Sequence, residues 1–219
     1  MKHLHLFFTS LACLFFVNGI AQKKFVEGSF SYNIQITGLK GEISSGLSGA
    51  TLQVFLKPYL SRTEMVSSLG SETNVYDSKA GNGFLLRAYS AQKLMITMSK
   101  ENWVQKNKMY KNLDFQVQEG ITEISGYKCK KAIATLPNEK TFTVFYDPAI
   151  DVVNKEYSNA FNNLPGLLVQ YEIQSGNLNF KYTLSNISWE PVSNSKFEAP
   201  KTGYRIMSYD ENQQLKKGE

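Results

Sequence analysis

Leu167-Leu168-Val169-Gln170-Tyr171-Glu172-Ile173-Gln174-Ser175-Gly176-Asn177-Leu178-Asn179-Phe180-Lys181-Tyr182-Thr183-Leu184 decides the fold class. Leu167, Val169, Tyr171 and Ile173 fall at every second position, and so do Leu178, Phe180, Tyr182 and Leu184. A period of two marks half-buried strands with one apolar face. Ser175-Gly176-Asn177 between the two runs is turn chemistry, so the stretch reads as an antiparallel hairpin.

The same alternation recurs in both directions. Phe30, Tyr32, Ile34 and Ile36 alternate with Ser31, Asn33, Gln35 and Thr37. Leu52, Val54 and Leu56 follow, and Pro58 ends the ladder. Phe84, Leu86 and Ala88 come after the turn Ala80-Gly81-Asn82-Gly83, and then Leu94, Ile96 and Met98. Phe115 and Val117 form a further run, and Phe142, Val144 and Tyr146 follow the turn Pro137-Asn138-Glu139-Lys140. Ile187 and Trp189 resume the pattern one residue out of phase, which predicts a bulge near Ser185-Asn186. About nine or ten strands with short connections make a mainly β protein built on a single curved antiparallel sheet. Residues 155–162 are the best helical candidate and 60–69 a weaker one. The tail 210–219 is polar and expected to fray.

A long sheet with one apolar face must curl, be covered, or hold an apolar ligand. With few helical residues the expected cover is thin. The chain of 219 residues suits one domain, read as 22–209.

Residues 1–21 have the form of a secretory signal: Lys2, an apolar core over 4–17, and Gly19-Ile20-Ala21 before the cut. That core is about 14 residues long, against ~20 needed to span a bilayer. Leu11-Ala12-Cys13 fits a lipoprotein signal poorly, because Ser10 stands where a large aliphatic residue is expected and the apolar core runs on through Val17. The expected compartment is periplasmic or extracellular. Cleavage removes His3, His5 and Cys13. The remaining chain has no histidine and one cysteine, which excludes a Ser-His-Asp or Cys-His pair, a histidine-bound metal and an intrachain disulfide. No cofactor or metal is implied.

Several segments resemble a secreted Bacteroidota family of unknown function. Ala21-Gln22-Lys23-Lys24-Phe25 leads into the first alternating strand, and Val75-Tyr76-Asp77 precedes a turn. Ile124-Ser125-Gly126-Tyr127-Lys128-Cys129 matches an Ile-x-Gly-Tyr-Lys-Cys motif. Phe197 to Tyr204 matches a Phe-x-x-Pro-x-Gly-Tyr motif with one extra residue. Leu164-Pro165-Gly166-Leu167-Leu168 is similar to the related GLPGLI proteins, with Asn163 in place of their first glycine. Such families look related to periplasmic lipoprotein carriers of the LolA/LolB type. The resemblance implies a curved antiparallel half-barrel with a few short covering helices, around an acyl-binding cavity. It carries no catalytic motif.

The aromatic faces are the most informative feature. Phe30, Tyr32, Ile34, Phe142, Val144, Val169, Tyr171, Phe180 and Tyr182 can line one concave surface, either as a ligand site or as plain core. A charge at Val144 or Val169 would abolish binding at a lining position and unfold the domain at a solid one. Cys129, flanked by Lys128, Lys130 and Lys131, is either an activated or a buried thiol, and burial is favoured. The lysines there and at 106, 108 and 111 offer transient contact with an anionic membrane surface or simply a solvated face. Scattered arginines argue against nucleic acid. Asp147 with Asp151, or Glu119 with Glu123, could in principle serve a hydrolase or, with Asn154, calcium, but neither sits in a recognisable motif. The leading expectation is a monomeric, exported, non-catalytic protein that holds an acyl chain, lipid or lipoprotein. The alternative is an envelope or secretion-associated interaction protein without a small ligand, and a carboxylate hydrolase is third.

Overall fold

The computed structural model describes residues 22–38, 49–89, 92–111, 113–136 and 141–217. Residues 1–21, read as a secretory signal, and 137–140, read as a turn, lie outside the described residues. The first strands are β1 (Lys23–Phe25), β2 (Gly28–Gly38), β3 (Ala50–Leu56) and β4 (Leu60–Ser67). Next come β5 (Gly70–Asp77), β6 (Asn82–Tyr89), β7 (Gln92–Met98) and helix α1 (Lys100–Lys106). The second half holds β8 (Phe115–Val117), β9 (Thr122–Ile124), β10 (Tyr127–Thr135), β11 (Thr141–Asp147) and β12 (Ile150–Val152). It ends with β13 (Leu167–Ser175), β14 (Leu178–Ser188), β15 (Arg205–Ser208) and helix α2 (Tyr209–Lys217).

One 13-stranded sheet runs β15-β7-β6-β5-β4-β3-β2-β14-β13-β11-β10-β8, with β9 also on β10. The quoted hairpin forms as its alternation dictates: Ser175 faces Leu178, Ile173 faces Phe180 and Tyr171 faces Tyr182. The register between β14 and β2 shifts between Leu184 and Asn186, where the phase change predicted a bulge. Two pairings are parallel, β15 on β7 and a separate ribbon of β1 on β12. These short runs lack the length that makes alternation readable, so the expected all-antiparallel sheet is mostly, not wholly, antiparallel.

Three local readings need correction. Residues 155–162 form two 3-10 turns, Lys155–Tyr157 and Asn159–Phe161, because Ser158 between them is not helical. Residues 60–69 are strand β4 and its turn, since Arg62, Glu64 and Val66 alternate across the pleat and pair with β5. The C-terminal stretch is helix α2, started by Ser208, whose hydroxyl accepts from the Glu211 amide at 3.1 Å. The unanticipated α1 is set by a capping box in which Ser99 and Asn102 bond each other's amides.

Two of the sequence motifs have plain structural jobs. Ser125 and Gly126 (φ 51° and 81°) make the two-residue turn joining β9 to β10, which needs positive φ at both positions. Gly166 lies so close to β11 that an added Cβ would sit 2.4 Å from the Asp147 carbonyl oxygen. That approach seats Leu164, Leu167 and Leu168, each no more than 1% exposed, in the core.

Opposed residues share a face, so the pairing defines the layers. One face carries Ala132, Val144, Tyr171, Tyr182, Ile34 and Ala50 in a single row across six strands. It wraps around the segment after β12: Phe161 lies 4.8 Å from Tyr171 and 5.6 Å from Phe142, and Tyr157 lies 5.2 Å from Phe30. Further along, Trp103 of α1 covers Leu85 and Ile96. The opposite face of β5 to β7 is covered by Val192 and Phe197, which pack on Val75, Phe84, Leu86 and Met95. Burying each such side chain stabilises by about 1.5–3 kcal/mol.

Candidate functional site

All nine candidate residues lie in two adjoining clusters on the inner face. Phe30, Tyr32, Ile34, Val144, Val169 and Tyr171 are buried. Phe142, Phe180 and Tyr182 are only half-buried. The first six form packed floor, and the last three keep part of their surface exposed. Tyr182 stacks on Tyr171 at 4.5 Å with planes 9° apart, joining floor to open edge.

The buried phenols are tied down. Tyr32 Oη donates to the Leu168 carbonyl at 2.9 Å, and a further hydrogen bond links Tyr32 with Tyr157. Burial holds the Tyr32, Tyr157 and Tyr171 hydroxyls well above their usual range, and pushes Tyr182 up to about 12. Cys129 is 0% exposed, and its Sγ donates to the Tyr127 carbonyl at 3.4 Å. Burial first, and the Asp147 carboxylate second, raise its thiol from 9.0 to about 11. Cys129 is thus an inert packing group despite its flanking lysines. Between pH 9 and 11 the unfolded thiol loses its proton while the folded one keeps it, so stability falls with rising pH. The loss is expected to start at a higher pH in Cys129→Ala, where only the tyrosines contribute. Urea unfolding across that range checks it, and identical profiles would disprove the assignment.

Between the cover and the sheet a mainly apolar, partly open pocket of about 100 Å³ remains, with Thr141, Glu172 and Gln174 also among its walls. Met109, Tyr110 and Phe161 wall it from the cover, and Phe142 and Ile173 from the sheet. Ile173 faces Phe180, and Phe180 faces Ile36, so one wall of this pocket is the end of an apolar row in which Ile173 and Phe180 are half-buried and Ile36 is buried. Met109 and Tyr110 were not anticipated as part of this wall. Their only sequence signal is two apolar side chains among lysines, which reads equally as surface.

The carboxylates do structural work. Asp147 caps the turn into β12 by accepting from the Ala149 amide at 2.8 Å, and Asp151 pairs with Lys155 at 3.9 Å. Glu119 and Glu123 are exposed on the β8–β9 side. Among the described residues no group of three His, Cys, Asp or Glu comes together. Asn154 is buried and spans to the Lys57 and Leu60 carbonyls, which makes it a clip between the β12 loop and the β3–β4 turn. Lys106, Lys108 and Lys111 are exposed on and after α1, as are Lys128 and Lys130 on β10. No described helix is long and apolar enough to cross a membrane.

The fold and this inner face define a mainly β protein: one large, mostly antiparallel sheet closed over a thin cover. No family model matches the chain, and no curated protein does. Among solved structures it is similar to PNGF-II, with a TM-score of 0.50 and 11% identity, over 86% of this chain and 33% of that one. It is also similar to MucB (0.40, 11%, covering 80% and 58%) and to LprF from Mycobacterium bovis (0.33, 13%, covering 76% and 88%). The chain therefore spans about a third of PNGF-II, and at 11% identity that likeness is one of fold alone. The two lower scores add nothing to it.

Proposed function

We propose that this chain is an exported, non-catalytic binding protein that holds an acyl chain or similar apolar ligand at the open edge of its inner sheet face. The supporting observation is the pocket between Met109–Tyr110 and Phe142–Ile173, whose wall residue Ile173 is paired with the half-buried Phe180. Its volume of about 100 Å³ is below the 300–1,000 Å³ of ordinary ligand pockets, so the ligand inserts one end and lies along the row. Shallow burial gives modest, mainly hydrophobic affinity, as suits a carrier that must release its cargo. The sequence resemblance to secreted relatives of lipoprotein carriers agrees with this reading and with an envelope location.

Titration with a fluorescent acyl probe tests it. Wild type is expected to bind saturably, and Phe180→Glu or Ile173→Glu to weaken binding at least about tenfold, because a carboxylate resists desolvation. Both positions are half-buried, so the far-UV spectrum should stay that of a β protein. Wild type that ignores the probe would transfer the reading to a protein-interaction module.

A further inference from the structure

The outward side of α1 and the turn after it combines uncompensated positive charge with exposed apolar tips. Lys100, Lys106, Lys108 and Lys111 fall in a stretch, 100–111, whose one acid is Glu101. Lys106 lies over the Trp103 ring at 5.7 Å. Lys100, Lys108 and Lys111 are exposed, and among the described residues none of them forms an ion pair. Together with Glu101, Val104 and Gln105 they ring an open hollow of about 550 Å³. The Glu101 carboxylate accepts from Ser99 Oγ at 2.8 Å, and Glu156 lines the neighbouring groove together with Trp103.

Two apolar side chains stand among these lysines: Val104 is 57% exposed and Met109 46%. Valine is a poor helix former, so helix formation does not call for it at an exposed position of α1. A helix face that meets only water carries polar residues there. Met109 has a second role, because it also walls the partly open pocket with Phe142 and Ile173. Apolar tips ringed by lysines suit a lipid surface, where lysine stems lie along apolar groups and the ammonium groups reach the phosphates. The anchors typical of protein contacts are missing from this surface: residues 100–111 contain no arginine, Trp103 is buried and Tyr110 is half-buried.

We infer that this face docks the protein on an anionic phospholipid surface. Lys100, Lys108 and Lys111 meet the phosphate headgroups, while Val104 and Met109 enter the boundary with the acyl chains. The docking stands on these exposed residues alone. Its purpose rests on the function proposed above: with Met109 in the lipid, the acyl pocket that Met109 walls lies against the source of its ligand.

Co-sedimentation of the processed protein, freed of residues 1–21, with phosphatidylcholine vesicles tests the docking. Adding about 30 mol% phosphatidylglycerol should tighten binding at least about tenfold, and raising salt should reverse the gain. Each lysine at such a surface is worth about fivefold, so Lys100→Gln, Lys108→Gln and Lys111→Gln together should weaken binding at least about thirtyfold. The same change at Lys93, Lys128 and Lys201, exposed elsewhere on the chain, should weaken it less than about threefold, because charge far from the contact is screened. Val104→Ser with Met109→Ser should weaken it at least about fivefold through lost apolar insertion. All eight positions are exposed, so the urea midpoints should stay those of wild type. The inference is overturned if anionic vesicles are not bound, if the two lysine triples weaken binding equally, or if the Val104 and Met109 variant binds as the parent does. Unbound vesicles combined with binding of polyglutamate through the same lysines would assign the face to an acidic protein partner instead. Acyl-probe titration without vesicles separates this test from that of the pocket: the lysine triple at 100, 108 and 111 should bind the probe as wild type does. Wild type that takes the probe but ignores vesicles would sink the docking and leave the pocket standing.

Discussion

Val144→Glu is expected to unfold the domain, with loss of the cooperative urea transition and of the β-type far-UV spectrum. Val144 is 0% exposed and stands between Ala132 and Tyr171 in the inner row. The substitution removes a packed aliphatic group and leaves an unpaired carboxylate in the core, a loss on the order of 5 kcal/mol. Domains of this kind are held by only about 5–15 kcal/mol. Phe180→Glu, half-buried two registers away, is expected to stay folded. If Val144→Glu kept a wild-type urea midpoint, Val144 would face a space rather than side chains, and the proposed site would have to be moved inward.

The second large effect is expected at the N-terminal strand. Phe25 is 0% exposed, with its ring 5.4 Å from Phe30 and 4.8 Å from Trp189. Lys23 Nζ sits 3.6 Å from the Trp189 ring centre. β1 also gives β12 its only described strand partner. Phe25→Ala should therefore cost about 3–5 kcal/mol, combining lost transfer energy with a residual cavity. At ~2–4 °C per kcal/mol for a domain of this size, the melting temperature should fall by about 6–20 °C. Calorimetry decides it, and a shift within a degree or two would mean that β1 is dispensable.

Strands were legible where apolar residues alternated over several positions, and the eight-residue β4 was missed because its alternating faces mix polar and charged residues such as Arg62, Thr63 and Glu64. Phe30 to Ile36 and the Tyr171–Tyr182 hairpin fell into register as their pattern required, even at the bulge beside Ser185. Short elements were not legible. Three-residue β1 and β12 carry no period, and α1 buries only Trp103, so its apolar stripe is a single residue. Residues 155–162 had helical composition, but Ser158 and the demands of covering Phe30 and Tyr171 broke the helix into turns. For the candidate site, alternation put nine residues on one face, yet only tertiary packing could say which stay open. Phe142, Phe180 and Tyr182 have the same pattern as Val144, Tyr171 and Tyr32. What separates them is the cover, and the cover comes from segments with no periodicity.

The pairing of β2 with β14 has a consequence for the order in which the chain can fold. The hairpins from β2 to β7, β10 with β11 and β13 with β14 join neighbours in sequence, and β11 meets β13 past only the short β12 segment, so these pairings can form as soon as each strand is present. The seam is different: Phe30 meets Ile187, and Ile36 meets Phe180, across most of the polypeptide. Such closure is slow, because the entropy of a long loop is lost before any contact rewards it. A chain that emerges N-terminus first therefore carries β2 with one unpaired edge until β14 arrives. During that interval the bare β2 edge is the place where a second unfinished chain could add, which makes the rate of seam closure a determinant of yield as well as of stability.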